Sequence, residues 1–281
     1  MDTELQLLDQ LLNSSRLYRS GKDFQELLDF VVRLRNFAPF NAMLLQIQKR
    51  GLSYAAFQVE WKKKFGRTLK PGARPLLILW PFGPVALVYD VMDTEGAPLP
   101  EDVATYHARG EIDPISFHNF QAILHRKGIR WDWIDAGDLN AGSVQRLSGP
   151  YEDKTPSSYQ LLVNRNHPPA VQFNTLTHEL AHLCLGHLGR DKKMGIPERR
   201  HLEKHQKELE AECAAYLVCR RNGVEPKSQR YLAGYIGSEA DTRALDVYQV
   251  MRAAGQVETW LELTVPMSLS EASDSSEVPE E

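Results

Sequence analysis

The chain has 281 residues, 42% of them hydrophobic and 25% charged, which is the composition of a folded globular protein with room for one large domain or two smaller ones. Its formal net charge of −4 excludes a uniformly basic nucleic-acid binder, and no apolar run reaches the roughly 18 residues that a membrane-spanning helix needs. Cys184, Cys213 and Cys219 are an odd number, form no CxxC pair and lie in apolar, helix-like contexts, so buried thiols in a reducing compartment are expected rather than disulfides.

The opening MDTELQLLDQLLNSS has neither a basic leader nor an apolar core, and a cytoplasmic location is expected. Leu5, Leu8 and Leu12 predict a first amphipathic helix; Phe24, Leu27, Leu28, Val31 and Leu34 predict a second. Pro39 interrupts that pattern, and Asn41 is the expected cap of a short third helix over NAMLLQIQK. The period then changes to two. Phe57, Val59 and Trp61 alternate as in a strand, while PLLILWP and VALVYDV flank the PFGP connection as a β-hairpin.

Residues 94–113 are rich in turn formers and acids, which predicts a boundary: a first domain over 1–100, a linker over 101–112 and a second domain over 113–264. That second domain should open with a helix near 115–127, followed by short strands at IRWDWI and SYQLLVN. The NHPPA turn is then expected to lead into a helix carrying HELAH that ends at Gly186 or Gly189, and further helices are expected over 198–221 and 239–254. The end, 265–281, is acidic and nearly free of apolar residues and is expected to be disordered.

The chemistry is concentrated in FNTLTHELAHLCLGHLG, residues 173–189. His178 and His182 are four residues apart, so they share a helix face and can reach one tetrahedral metal ion. Glu179, between them, projects beside that ion, where it can accept a proton from an activated water. Catalytic zinc commonly takes three protein ligands. His187 is a poor third, because an ideal helix turns it about 140° away from His182 unless the helix breaks at Gly186. The downstream helix offers His201, His205, Glu208 and Glu212 along one face, with Glu210 pointing off it. SYQLLVN, just ahead of the helix, is the expected edge strand for a peptide substrate.

THELAHLCLGH together with KELEAECAAYLVC resembles the ImmA/IrrE-type zinc metallopeptidases, which have the gluzincin layout. The resemblance implies Glu212 as the third zinc ligand, with Glu208 as the alternative, although Cys-Ala here replaces the family's usual Ala-Asn after the glutamate. Tyr231 or Tyr235 is a candidate oxyanion donor.

A second signal lies upstream. Between residues 33 and 74 ten basic side chains face one acid, Glu60, for a local charge of +9. Lys62, Lys63, Lys64, Arg67, Lys70 and Arg74 crowd one part of it, and Phe37, Phe40, Tyr54, Phe57, Trp61 and Phe65 are interleaved. Cations that track phosphates and aromatic faces that stack on bases, Trp61 among them, point to single-stranded DNA. FAPFNAMLLQIQ, FQVEWKKKFGRTLKPGARPLLILWP and VYDVMDTEG are similar to the N-terminal, single-stranded-DNA-binding domain of ArdC-like antirestriction proteins, in which it precedes a zinc-metallopeptidase-like domain.

The expected protein is α+β: a small basic helix-plus-β-hairpin domain, then a zincin-like domain of gluzincin type with an HExxH helix on an antiparallel sheet. Its expected activity is zinc-dependent hydrolysis of a peptide bond in a protein substrate, with Zn2+ as cofactor, single-stranded DNA as a partner, and neither a membrane nor a dinucleotide cofactor. Such an enzyme could cleave a DNA-bound regulator. The alternative is a non-proteolytic, antirestriction-type DNA-binding protein whose zinc site is structural or vestigial.

Overall fold

A computed structural model describes residues 21–80, 83–99, 114–137, 140–148, 157–226 and 245–263. The helix expected near Leu5, the 101–112 linker, Tyr231, Tyr235 and the 265–281 tail lie outside the described residues. The chain divides into two compact units, one built on 29–106 and the other on 18–28 and 107–264.

The division passes through helix α1 (Gly21–Arg33), whose Phe24, Leu27, Leu28 and Val31 are buried at the spacing expected of an amphipathic helix. In the first unit α2 (Pro39–Gln48) begins with proline in its first turn and Ala38 as its cap, so Asn41 is not the cap. Asn41 instead turns outward to strand β3 (Leu76–Trp80), where its side chain exchanges two 3.0 Å hydrogen bonds with the Leu79 backbone. Gln48, two turns on, exchanges two with Leu77, both at 2.8 Å. β3 is an edge in the sheet order β1 (Ala55–Ala56), β4 (Gly83–Asp90), β3, and these two amides satisfy backbone groups that an edge leaves open. The β3–β4 hairpin pairs antiparallel, as the sequence predicts. A separate ribbon pairs β2 (Arg67–Leu69) with β5 (Thr94–Gly96).

The strand expected from Phe57, Val59 and Trp61 is a helix, α3 (Gln58–Phe65). Phe57, Trp61 and Phe65 also fit a spacing of four, and the Trp61 and Phe65 rings meet at 5.2 Å on one helix face. Glu60 accepts the Phe57 N–H at the start, and Gly66, at φ 59°, closes the end in the left-handed conformation. The lysines between are good helix formers, so three alternating apolar residues did not make a strand.

The second unit opens with α4 (Pro114–Arg126), packed on β6 (Ile129–Ile134). Its sheet runs β6, β8 (Ser158–Asn164), β7 (Gly142–Ser148). β6 and β8 are parallel whereas β7 and β8 are antiparallel, so the sheet is mixed and the expectation of an antiparallel sheet is corrected. SYQLLVN is the central strand, and its buried Tyr159, Leu161 and Val163 show why: a strand paired on both sides carries the core. β7 is an edge, and among the described residues no strand pairs with its outer side. Helices α5 (Pro169–Cys184) and α6 (Lys204–Arg221) pack on each other and on α7 (Val247–Trp260), and α5 also lies on β7 and β8. Among the described residues, β7 thus brings an unpaired strand edge beside Glu179 of α5.

Candidate metal centre

α5 buries Phe173, Leu176, Thr177, Leu180, Ala181, Leu183 and Cys184, which leaves Asn174, His178 and His182 in line on its partly exposed face. The Nε2 atoms of His178 and His182 are 3.1 Å apart. Oε2 of Glu208, on α6, lies 3.5 Å from the first and 3.6 Å from the second. These three residues each offer one ligand atom within 4.8 Å of the others, which fits a divalent ion with nitrogen and oxygen donors.

Glu212 is placed differently. Its Oε2 sits 2.9 Å from Nδ1 of His178, on the far side of the ring from Glu208. Between the two glutamates the geometry favours Glu208, the alternative in the sequence reading, at the converging atoms. One helical turn separates them on α6, so both reach the same imidazole from opposite edges. Glu210 points to neither. His205 lies in the first turn of α6, while His201 precedes the helix.

Electrostatics follow from this crowding. Burial acts to depress His178, but the Glu208 and Glu212 carboxylates outweigh it and bring its pKa up to about 10. Glu208 is held well below the usual carboxylate range by hydrogen bonds to the two histidines. Burial raises Glu179, opposed first by the neighbouring His178 and His182 and, to a smaller extent, by the Val144 backbone N–H donated to its carboxylate. Burial also pushes the Cys184 and Cys213 thiols up and brings Cys219 to about 12, which agrees with inert core thiols.

The Val144 contact has a topological origin. Ala141 accepts the Asn164 N–H at 2.8 Å, and the β7–β8 register then turns Ser143 and Gln145 toward β8. Gly142 and Val144 therefore present their backbone groups to the open edge. Gly142 also permits the approach of α5, since a Cβ there would lie 2.6 Å from Cγ2 of Thr175, one turn before Glu179.

After Cys184 the chain does break at glycine. Gly186, at φ 81°, donates to Leu183 O, and His187 N donates to His182 O at 3.1 Å, the paired bonds of a Schellman ending. His187 is thereby carried back over His182, with the two Nδ1 atoms 2.9 Å apart. It meets the rear of that ring and not its Nε2, so it stands outside the converging donor set. Nε2 of His187 faces Glu210 at 3.2 Å, and Glu210 takes two short bonds from Arg199, at 2.6 and 2.7 Å. The loop between is fastened to its surroundings: Tyr159 donates to Asp191 at 2.9 Å, Arg252 to Gly195 O at 3.1 Å and Gln256 to Met194 O at 2.7 Å. Sequence reading sets Glu210 aside as pointing off the metal-facing side of its helix and does not single out Arg199. The signal available was Gly-His one turn past HELAH, which turns a chain back on its own helix.

In the first unit the expected DNA-contacting residues separate. Trp61 is fully buried, donates Nε1–H to Tyr89 O and packs edge-on to Tyr54, so its assignment as a base-stacking residue is corrected. Lys64 pairs with Glu60 at 2.7 Å, Lys70 donates to Met92 O at 2.9 Å, and Arg67 is spent on Thr94 at 2.7 and 2.9 Å. Lys62, Lys63 and Arg74 are exposed.

Two histidines of α5 and one carboxylate of α6 thus converge where they could hold a metal ion. Residues 138–222 match the Peptidase_M78 family, described as the IrrE N-terminal-like domain, and both motifs that carried the ImmA/IrrE-type resemblance lie inside that segment. An uncharacterized protein of Bacillus anthracis is 21% identical over 291 residues, an alignment that covers 86% of this chain and 48% of that protein. The chain thus spans about half the length of this curated relative. Among solved structures, the antirestriction ArdC protein from the R388 plasmid is similar in two forms. The metal-free form is 17% identical with a TM-score of 0.34, covering 84% of this chain and 85% of that one. The Mn(II)-bound form is 16% identical with a TM-score of 0.37, covering 85% and 97%. No helix among the described residues is long and apolar enough to cross a membrane.

Proposed function

We propose that the second unit is a divalent-metal-dependent peptide hydrolase. The observation that supports this most is the convergence of His178 Nε2, His182 Nε2 and Glu208 Oε2 beside Glu179 and an open strand edge. His178, His182 and Glu208 would hold the metal, which is zinc in the family that the motifs resemble. When bound, such an ion supplies Lewis acidity, which sharpens both the acidity of a water and the electrophilicity of a carbonyl.

The chain's own groups carry the rest. An extended peptide pairs along the free edge of β7 and takes its hydrogen bonds from the outward backbone groups of Gly142 and Val144. That pairing competes for the Val144 N–H and frees the Glu179 carboxylate, which accepts a proton from the attacking water and returns it to the departing amine nitrogen. Burial of Glu179 raises its basicity toward the range useful for that shuttle. Glu212 accepts a hydrogen bond from His178 Nδ1–H, which orients the ring and leaves Nε2 for the metal.

Glu179→Gln tests the reading with a quenched fluorescent peptide library at a fixed zinc load. Hydrolysis by the wild type, lost in the variant at unchanged metal content, is the expected result. Equal cleavage by both proteins would overturn it.

A second reading, DNA binding by the first unit, rests on the +9 charge over residues 33–74 and on the exposure of Lys62, Lys63 and Arg74. Its contacts would be with phosphates, since Trp61 is internal. A DNA-bound regulator would then be a natural substrate for the hydrolase.

A further inference from the structure

His182 touches a buried chain of polar groups that the hydrolytic reading does not use. Its Nδ1 faces Nδ1 of His187 at 2.9 Å, Nε2 of His187 faces Glu210 Oε2 at 3.2 Å, and Arg199 grips both Glu210 oxygens. The His187 and Glu210 side chains are each only 2% exposed, and Asp246, at the start of α7, adds its backbone N–H to Glu210 Oε1 at 3.3 Å.

The direction of this chain is fixed by chemistry. A guanidinium has donors only, and so does a backbone N–H, so Glu210 accepts from every neighbour and its bond with His187 must be donated by Nε2–H. A neutral His187 with its proton on Nε2 has a lone pair on Nδ1, which can only accept. His182 must therefore donate from Nδ1, and its own lone pair falls on Nε2, the atom aimed at Glu208 and His178.

We propose that His187 and Glu210, locked by Arg199, are positioning residues that hold His182 in the Nδ1–H form with Nε2 open to the metal. The inference rests on His182 being a metal ligand for its consequence, but not for its content, since the proton position exists without any ion. The two imidazoles that face the metal are then oriented by different means: His178 directly by a carboxylate, His182 through a second histidine. Schellman geometry at Gly186 makes the difference, because it delivers the His187 ring to the rear of His182.

Long-range 1H–15N correlation of the metal-free, full-length protein reads the tautomer of each histidine. His182 protonated on Nδ1 is expected; His182 protonated on Nε2 overturns the proposal with no variant needed. Zinc titration against a chromophoric chelator then compares the wild type with His187→Leu and His187→Gln. Leucine breaks the chain, and affinity should fall about 10- to 100-fold. Glutamine can accept from His182 and donate to Glu210, so it should restore most of the loss; equal affinity in leucine variant and wild type overturns the proposal. If His187→Leu does not fold, the glutamine variant and Glu210→Gln carry the comparison, the second losing affinity and the first keeping it. A wild type that shows His182 Nδ1–H yet binds no zinc would defeat the hydrolase reading and leave the tautomer assignment standing.

Discussion

Glu212 meets His178 from behind: its Oε2 is 2.9 Å from Nδ1, while the Nε2 edge of the ring is turned toward Glu208. Glu208→Ala should therefore abolish stoichiometric zinc binding, whereas Glu212→Ala should weaken it by about 10- to 100-fold without removing the site. Elemental analysis and chelator competition on the two variants check this. Loss of zinc only in the Glu212 variant would reverse the roles.

The same crowding predicts a pH dependence in metal-free protein. The His178 pKa rises from 6.5 to about 10 on folding, so the stability it contributes is full below pH 6.5 and is lost as pH climbs toward 10. Binding of a metal at Nε2 displaces that proton, so metal affinity should rise over the same interval. Melting temperatures of EDTA-treated protein should fall across it, and the zinc-loaded protein should gain relative to it. A metal-free melting temperature that holds level through the interval would contradict the assignment.

Gly186→Ala tests the turn that delivers His187. A Cβ at this position would press on the Pro197 carbonyl, and the residue sits at φ 81°. A loss of roughly 1–3 kcal/mol in urea unfolding is expected from the backbone conformation alone. Zinc affinity should drop with it, because the His182 partner moves. A variant as stable as wild type would show that the helix ending is not fixed as described.

Gly142→Ala should displace β7 from both β8 and α5, since its Cβ would press on the Leu162 carbonyl oxygen and lie 2.6 Å from Thr175 Cγ2. Peptide hydrolysis should fall with KM rising more than zinc affinity changes, because the strand edge moves while the donor atoms on α5 and α6 stay. A fall in zinc binding with intact KM would place Gly142 in the metal scaffold instead.

Changing Lys62 and Lys63 to alanine together should lower affinity for single-stranded DNA and reduce the salt slope by about one to two. Trp61→Ala should act through the fold, with a loss of about 3–5 kcal/mol from a fully buried indole. Fluorescence anisotropy at several salt concentrations separates the two effects. DNA binding that survives the lysine change but is lost in a folded Trp61 variant would restore the aromatic to the interface.

The sequence by itself determined the HELAH helix, the β3–β4 hairpin, the buried thiols and the pairing of His178 with His182, because each depends on spacing along one element. A period of four on a helix fixes which side chains share a face wherever that helix ends up. Three alternating apolar residues at 57, 59 and 61 were too few to separate a strand from a helix, and capping by Glu60 and Gly66 settled that locally. Strand order was not legible either: SYQLLVN lies between β6 and β7, so the edge beside Glu179 belongs to GSVQRLS. Nor could spacing choose between Glu208 and Glu212, which share a face of α6 one turn apart. Only the packing of α6 against α5 decided which carboxylate met Nε2 and which met Nδ1. The same packing brought Glu210 and Arg199 behind His187, a contact between residues 23 and 11 positions apart that no local pattern encodes.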